Sequence, residues 1–344
     1  LDTTYPDYRE PRVLELFRTA RAAYFDDLKT QGRAPASPAA APALRFFSRV
    51  LRERFGEPVR KVGLDAGFSC PHRRGPDRIG GCTYCDHRSF SPWAGVPPAP
   101  LRRQLEEGFA ALRRKTGARL GLAYFQAYTN TLADVGHLEA LYREALSFPG
   151  IVGIAIGTRP DCVPERVLDL LEKLHRETYL WLELGLESSH DRTLKRVNRG
   201  HDYASFVDAV ERAHGRGLRL CAHVMLGLPG EGREDMMETA DRLGRLRLDG
   251  VKIHHLHVIE GTPLAESYLR GEFKTLSEDE YVPLAADFLE RLSPETVIHR
   301  LVGDCPEEIL IAPRWTEPKS QVVQRILAEL RRRGTRQGSY AAPA

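Results

Sequence analysis

A chain of 344 residues with 42% hydrophobic and 28% charged side chains has a soluble globular composition and enough length for one barrel-sized domain or two ordinary ones. Fifty Lys and Arg stand against 47 Asp and Glu, a formal net charge of +3, so the overall balance excludes a strong nonspecific hold on nucleic acid. No apolar run approaches the roughly 20 residues that span a bilayer, and the opening Leu1-Asp-Thr-Thr-Tyr-Pro lacks the basic and apolar regions of a secretory signal; a cytoplasmic protein without membrane contact is expected.

Residues 1–43 read as an N-terminal helical extension, amphipathic from Arg12 to Phe25, followed by a linker from Ala34 too rich in Pro and Ala to hold tertiary structure. The main body, 44–262, opens with a short helix over Leu44–Phe55. Strand-like runs follow at Val62–Ala66, Leu120–Phe125, Val152–Ile156, Tyr179–Leu186, Leu218–Met225 and Val251–Val258. Between them lie helical patterns at Leu101–Lys115, Leu138–Ser147, Pro164–Arg176, Tyr203–Arg216 and Arg233–Leu246. Strands alternating with amphipathic helices predict an α/β fold of parallel β/α units, wound into either a doubly wound sheet or a barrel. Eight units complete the usual closed barrel; six are counted here. Residues 263–344 read as a small C-terminal α+β layer, with a helix over Ser277–Leu292, a strand near Val297–Leu301 and a last helix over Lys319–Arg333. Arg325, Arg331, Arg332, Arg333 and Arg336 make its end basic, which suits either phosphate contacts or an ordinary solvated helix face.

Six cysteines are too few for a disulfide scaffold, and three of them, Cys70, Cys82 and Cys85, lie within sixteen residues. Cys70 follows directly on the first strand, and Cys82 and Cys85 close the same loop. Gly75, Gly80 and Gly81 free that loop to fold back and deliver Cys70. Three thiolates can hold three irons of a 4Fe–4S cubane and leave the fourth open to an outside ligand. A zinc ion completed by His72 or His87 is the rival reading of the same spacing. Cys221 sits in an apolar strand as a core thiol, and Cys162 and Cys305 stand apart without partner spacing.

The stretch Leu64-Asp-Ala-Gly-Phe-Ser-Cys-Pro-His-Arg with Gly80-Gly-Cys-Thr-Tyr-Cys resembles the signature of the YhcC/YtqA-like radical S-adenosylmethionine (SAM) proteins, bacterial relatives of the catalytic subunit of Elongator. Further matches are Tyr124-Phe-Gln-Ala-Tyr-Thr-Asn-Thr, Gly157-Thr-Arg-Pro-Asp, Glu183-Leu-Gly-Leu-Glu-Ser, Asn198-Arg-Gly-His, His223-Val-Met-Leu-Gly-Leu-Pro-Gly-Glu, His254-His-Leu-His and Leu310-Ile-Ala-Pro-Arg-Trp. The resemblance runs from about Phe46 to Trp315. Eleven residues separate Cys70 from Cys82, longer than the Cys-x3-Cys-x2-Cys of most radical SAM enzymes and similar to this subgroup.

The resemblance implies a partial six-unit (β/α) barrel of TIM type, with a 4Fe–4S cluster on Cys70, Cys82 and Cys85 and SAM chelated at the open iron. One electron then cleaves a carbon–sulfur bond of SAM, and the resulting 5′-deoxyadenosyl radical abstracts hydrogen from a substrate. By the same resemblance Tyr84 lies against the adenine, and Gln126, Tyr128, Thr129 and Asn130 hold the amino group of SAM. Glu187, with Ser188 beside it, accepts the ribose hydroxyls, and Gly227, Pro229 and Gly230 shape a loop around the adenine. Arg159 and Arg199 are candidates for the SAM carboxylate or an anionic substrate, or are structural ion pairs. Glu183 lies deeper, paired with a cation, and His223, His254, His255 and His257 make a polar barrel floor. Expected partners are an electron donor such as flavodoxin or ferredoxin and, from the Elongator kinship, the wobble uridine of a tRNA. A small metabolite is the alternative substrate, and a noncatalytic zinc or iron–sulfur binding protein the alternative class.

Overall fold

The computed structural model describes residues 43–74, 79–91, 93 and 99–341. The N-terminal extension and linker expected over residues 1–43 lie outside these, except for the last residue, as does Gly75. The first described elements are α1 (Phe47–Phe55), β1 (Val59–Leu64), the short strands β2 (Arg73–Arg74) and β3 (Ile79–Gly80), α2 (Leu101–Thr116) and β4 (Leu120–Phe125). Alternation continues through α3 (Val135–Ser147), β5 (Ile151–Thr158), α4 (Glu165–Glu177) and β6 (Tyr179–Glu187). Next come α5 (Asp191–Arg196), α6 (Tyr203–His214), β7 (Leu220–Leu226), α7 (Arg233–Arg245) and β8 (Gly250–His255). Last are β9 (Val258–Ile259), α8 (Pro263–Leu269), α9 (Glu278–Arg291), β10 (Val297–Arg300), β11 (Leu310–Ala312) and α10 (Lys319–Arg333).

The main sheet has seven strands in the order β1-β4-β5-β6-β7-β8-β10, every neighbouring pair parallel. The expected six-strand count is therefore one short. The run at Val297, expected in a C-terminal layer, is a seventh sheet strand beside β8, with Val297 N donating to Asp249 O at 2.8 Å. Residues Arg45 and Phe46, expected to be helical, instead run along β10, and Ile298 N donates to Arg45 O at 2.8 Å. The expected strand Val251–Val258 breaks after His255, and its last part, β9, pairs antiparallel with β11.

Alternation along the strands sorts the barrel into layers. In β6 every residue is buried, as expected of a parallel strand covered on both faces. Leu180, Leu182, Leu184 and Leu186 face the helices with Leu168, Leu171 and Phe206. On the other face, Tyr179 and Trp181 pack with Phe47, Leu51 and Phe55 of α1 and with Leu122 and Val297. Helix α1 thus plugs the inside of the half-barrel, in contact with the edge strands β1 and β10. Each such fully buried side chain is worth roughly 1.5–3 kcal/mol of transfer free energy. Two residues further along β6 the inward positions turn polar, first Glu183 and then Glu187. The apolar plug closes the N-terminal end of the barrel, and the polar cavity opens at the C-terminal ends of the strands.

Candidate active site

Cys70, Cys82 and Cys85 all line the cavity at the strand ends, which offers about 180 Å³ to solvent. Their loop is tied down from several sides. Arg73 N donates to Cys70 O at 3.0 Å, Cys85 N to Cys82 O at 3.1 Å, Thr83 N to Val197 O at 3.0 Å, and Asn198 Nδ2 to Gly81 O at 2.7 Å. Gly80 and Gly81 have φ of 94° and 97°, and a Cβ on Gly80 would stand 2.9 Å from His72 O. Only glycine lets the backbone pass there.

Polar groups surround the three sulfurs. Thr129 Oγ1 donates to Cys70 Sγ at 3.3 Å, and Arg199 Nη1 to Cys82 Sγ at 3.6 Å. His72 Nε2 lies 3.5 Å from Cys82 Sγ, and His87 Nε2 lies 3.6 Å from Cys85 Sγ. Burial pushes the Cys70 thiol up, and burial with the neighbouring Cys82 pushes Cys85 to about 12, against the opposing pull of Arg73. Such thiols stay protonated until a cationic centre displaces their protons to solvent, as ligation of a metal cluster does. Among the described residues no three His, Cys, Asp or Glu groups are gathered as a metal site. Three soft thiol donors on one loop suit three corners of an iron–sulfur cubane.

Glu187 ends β6 at φ 75°, where the pairing with β7 slips between Gly185 and Glu187. The bulge aims its carboxylate into the cavity. Burial raises its pKa and Arg199 opposes the rise, with Nη2 at 3.6 Å from Oε1. Arg199 Nη2 also donates to Gly185 O at 2.6 Å, and a Cβ on Gly185 would collide with the guanidinium. Arg199 therefore links Glu187 to Cys82. Tyr84 is buried with Val197, Leu228, Leu256 and Leu264 while still lining the cavity, as do Gln126, Tyr128 and Thr129.

Arg159 lines the cavity but has every N–H engaged. Nε and Nη2 donate to the Asp161 carboxylate at 2.9 and 2.7 Å, Nη2 to Gly200 O at 2.7 Å, and Nη1 to Arg199 O at 2.9 Å and to His72 Nδ1 at 2.8 Å. With all its donors matched, it is the structural ion pair of the two readings and has none left for a carboxylate of SAM. Asn130, Ser188, Gly227 and Pro229 stand behind the wall rather than in it. Asn130 Nδ2 donates to Gly157 O at 2.8 Å, Ser188 Oγ to Glu231, and Gly227 N to Met236 Sδ at 3.3 Å. They hold loops in place; Gly227 in particular has φ 85°.

The floor is charged. Glu183, fully buried, contacts Lys61 Nζ, His223 Nε2 at 2.7 Å, His299 Nδ1 at 3.4 Å and Lys252 Nζ at 3.7 Å. Burial alone would raise the Glu183 pKa, but Lys61 and Lys252 hold it well below the usual carboxylate range. Lys252 Nζ donates to Tyr124 OH at 2.6 Å, and burial brings its pKa down to about 7 despite Glu183. His223, His254, His255 and His257 line the cavity as expected, and burial keeps all four neutral, His223 at about 3 and His257 at about 4. Sequence reasoning missed Lys61, Lys252 and Arg300. The available signal was a cation at an inward position of an otherwise apolar strand. It also missed the aromatic wall in which His87 stacks on Tyr128 at 3.6 Å and 24° with Phe90 edge-on at 5.0 Å.

Residues 70–243 match the model of the Radical SAM superfamily, and residues 248–332 match the Radical_SAM C-terminal domain. The chain belongs to the radical SAM superfamily. An uncharacterized protein of Bacillus subtilis, YtqA, is 43% identical over 290 residues, covering 84% of this chain and 90% of that one. Human Elongator complex protein 3 is 32% identical over 174 residues, 49% of this chain and 31% of its own. The solved Elp3 of the archaeon Methanocaldococcus infernus, lacking its N-terminus, shares the fold with TM-score 0.61 at 22% identity, covering 68% of this chain and 59% of that one. The cofactors of this radical SAM protein are a 4Fe–4S cluster and SAM. Among the described residues no helix is long and apolar enough to cross a membrane.

Proposed function

We propose that this radical SAM enzyme abstracts a hydrogen atom from a nucleoside side chain in RNA, that of a wobble uridine in tRNA. When bound, the cluster and SAM supply the chemistry: one electron cleaves SAM to methionine and a 5′-deoxyadenosyl radical, which leaves as 5′-deoxyadenosine after taking the hydrogen. The protein's own residues divide the cavity into two halves. On one side Cys70, Cys82 and Cys85 hold the cluster, while Glu187 accepts hydroxyl hydrogen bonds, Arg199 fixes that carboxylate and Tyr84 backs the nucleoside of SAM. On the other side lies the polar floor of Lys252, His223 and His254, while His87, Phe90 and Tyr128 make an aromatic wall beside the cysteine loop, with His87 Nε2 3.6 Å from Cys85 Sγ.

The pairing of an aromatic wall with a polar floor carries the reading, because RNA bases taken out of a stack are held against aromatic side chains and read by polar groups. The partial likeness to Elongator complex protein 3 supports it. An electron donor such as flavodoxin or ferredoxin completes the system. One observation favours a small metabolite as the second reading: the C-terminal arginines are largely neutralised. Arg325 pairs with Glu278 at 2.7 Å and Asp279 at 2.5 Å, Arg332 with Glu329 at 2.8 Å, and Arg333 with Asp287 at 2.7 Å. Phosphate contacts from that end would fall to the exposed Arg331 and Arg336. Nucleoside mass spectrometry of tRNA from a deletion strain decides between them. Loss of one wobble nucleoside with accumulation of its precursor is expected, and an unchanged profile removes RNA as the substrate.

A further inference from the structure

The floor holds more positive charge than its own carboxylates balance. Lys61 is matched by Glu183, against which Lys252 also lies at 3.7 Å. Asp304, which lines the cavity, is paired with Lys319 outside it. Arg199 has Glu187, and Arg159 has Asp161. Arg300, at the end of β10, differs from all of these. Its Nη2 lies against the ring of His254, its Nε is buried without a hydrogen-bond partner, and among the described residues no carboxylate stands within ion-pair distance of it. His254 is neutral, and Asp304 and Glu183 act on Arg300 only from beyond ion-pair distance, so Arg300 faces the cavity without a direct carboxylate partner, with Lys252 beside it on β8 and His257 in the same lining. A buried charge left without a close partner is costly.

We propose that Arg300, with Lys252 and His257, forms a subsite for a carboxylate carried by the substrate. The planar guanidinium offers parallel N–H donors that suit two carboxylate oxygens. One full charge on Arg300 and a partly protonated Lys252 match a monoanion better than a phosphate dianion. The subsite is built on β8 and β10, whereas the thiols follow β1 and Glu187 ends β6, and acetate binding to SAM-loaded enzyme separates its anion from the carboxylate of SAM. The proposal rests on the reading of this half of the cavity as the substrate side, not on the substrate being RNA.

The test uses reconstituted, SAM-loaded holoenzyme and acetate as the probe, with binding followed by the line width of the acetate methyl resonance. Acetate binds the wild type, acetamide does not, and inorganic phosphate displaces acetate only at higher concentration than acetate itself. Arg300→Gln weakens acetate at least tenfold, and Arg300→Lys weakens it less. Between pH 6 and 8 the affinity of the wild type falls as Lys252 loses its proton, and Lys252→Met flattens that dependence. The groups facing Lys252 are Glu183, Tyr124, Lys61, Glu187, Cys221, His223, His254 and Arg300. Their surroundings push Glu183, His223 and His254 down and Tyr124 and Cys221 up, away from that window; burial raises Glu187 towards it, and Lys252→Met separates Lys252 from Glu187 and the rest. Equal acetate affinity in Arg300→Gln, or binding of acetamide as tight as acetate, overturns the subsite; tighter phosphate binding at Arg300 overturns the carboxylate. Should Arg300→Gln fail to fold, the Lys252→Met pH series and Arg300→Lys decide the same question. Acetate binding needs no turnover, so a protein that binds acetate through Arg300 yet makes no 5′-deoxyadenosine would sink the proposed function and leave the subsite standing.

Discussion

Substituting Glu183→Gln removes the anion on which the floor is built while keeping its shape and its capacity to accept a hydrogen bond from His223. Two ammonium groups, Lys61 and Lys252, then lose their carboxylate in a site where Glu183 itself is fully buried. Breaking a buried ion pair by deleting one member costs about 3–5 kcal/mol, because the remaining charge is left desolvated. Two features pull the expectation to the lower end. The side chain of Lys61 keeps 22% of its exposure and can reach water, and Lys252, already at about 7, can shed its proton. A loss of about 3 kcal/mol in guanidinium unfolding of the reconstituted protein at pH 7 is therefore expected. The sign of the pH dependence follows from the depressed Glu183 pKa. Its contribution is present above the unfolded value of about 4.3 and fades as pH falls through the lower folded value. The difference between wild type and variant should shrink in acid accordingly. A loss below about 1 kcal/mol, or a difference that persists unchanged in acid, would refute the buried-network account.

Other outcomes follow from the same geometry. Glu187→Gln should weaken SAM binding by roughly tenfold, the worth of one hydrogen bond to a charged group, in equilibrium dialysis with the cluster intact; unchanged affinity would remove Glu187 from the SAM site. Trp181→Ala empties the plug between α1 and the sheet and should cost about 3–5 kcal/mol without altering the iron content. For Lys252, whose folded pKa of about 7 lies below its unfolded value of about 10.4, the unfolded chain binds the extra proton. Stability should therefore rise with pH between those values, and Lys252→Met should flatten that slope.

Much of the fold was legible because parallel strands and their helices write two different periods into the chain. The match is close where helix and strand both bury a clean face, as at α10 and β4, whose bounds are those expected. It fails where partners are distant in sequence. Val297 and Ile298 look the same whether they join β8 or sit in a separate layer; only their pairing with β8 on one side and the Arg45–Phe46 segment on the other decides it. The cysteine loop was legible because its chemistry sits within one short stretch. Arg159 was ambiguous because a guanidinium near a strand end reads the same whether its partners are ligands or Asp161 and two loop carbonyls. The cationic floor was hidden for a related reason. Lys61, Lys252 and Arg300 are single charges on three strands, and only the folded sheet brings Lys252 and Arg300 to the cavity and Lys61 to Glu183.

The most direct test of the account is the product of SAM in dithionite-reduced, iron-reconstituted protein. Wild type should carry about four irons per chain and release 5′-deoxyadenosine and methionine in equal amounts, while Cys82→Ala should lose both the iron and the products. Intact SAM after incubation with fully reconstituted wild type, or equal turnover by Cys82→Ala, would contradict the claim that these three thiolates hold the cluster that cleaves it.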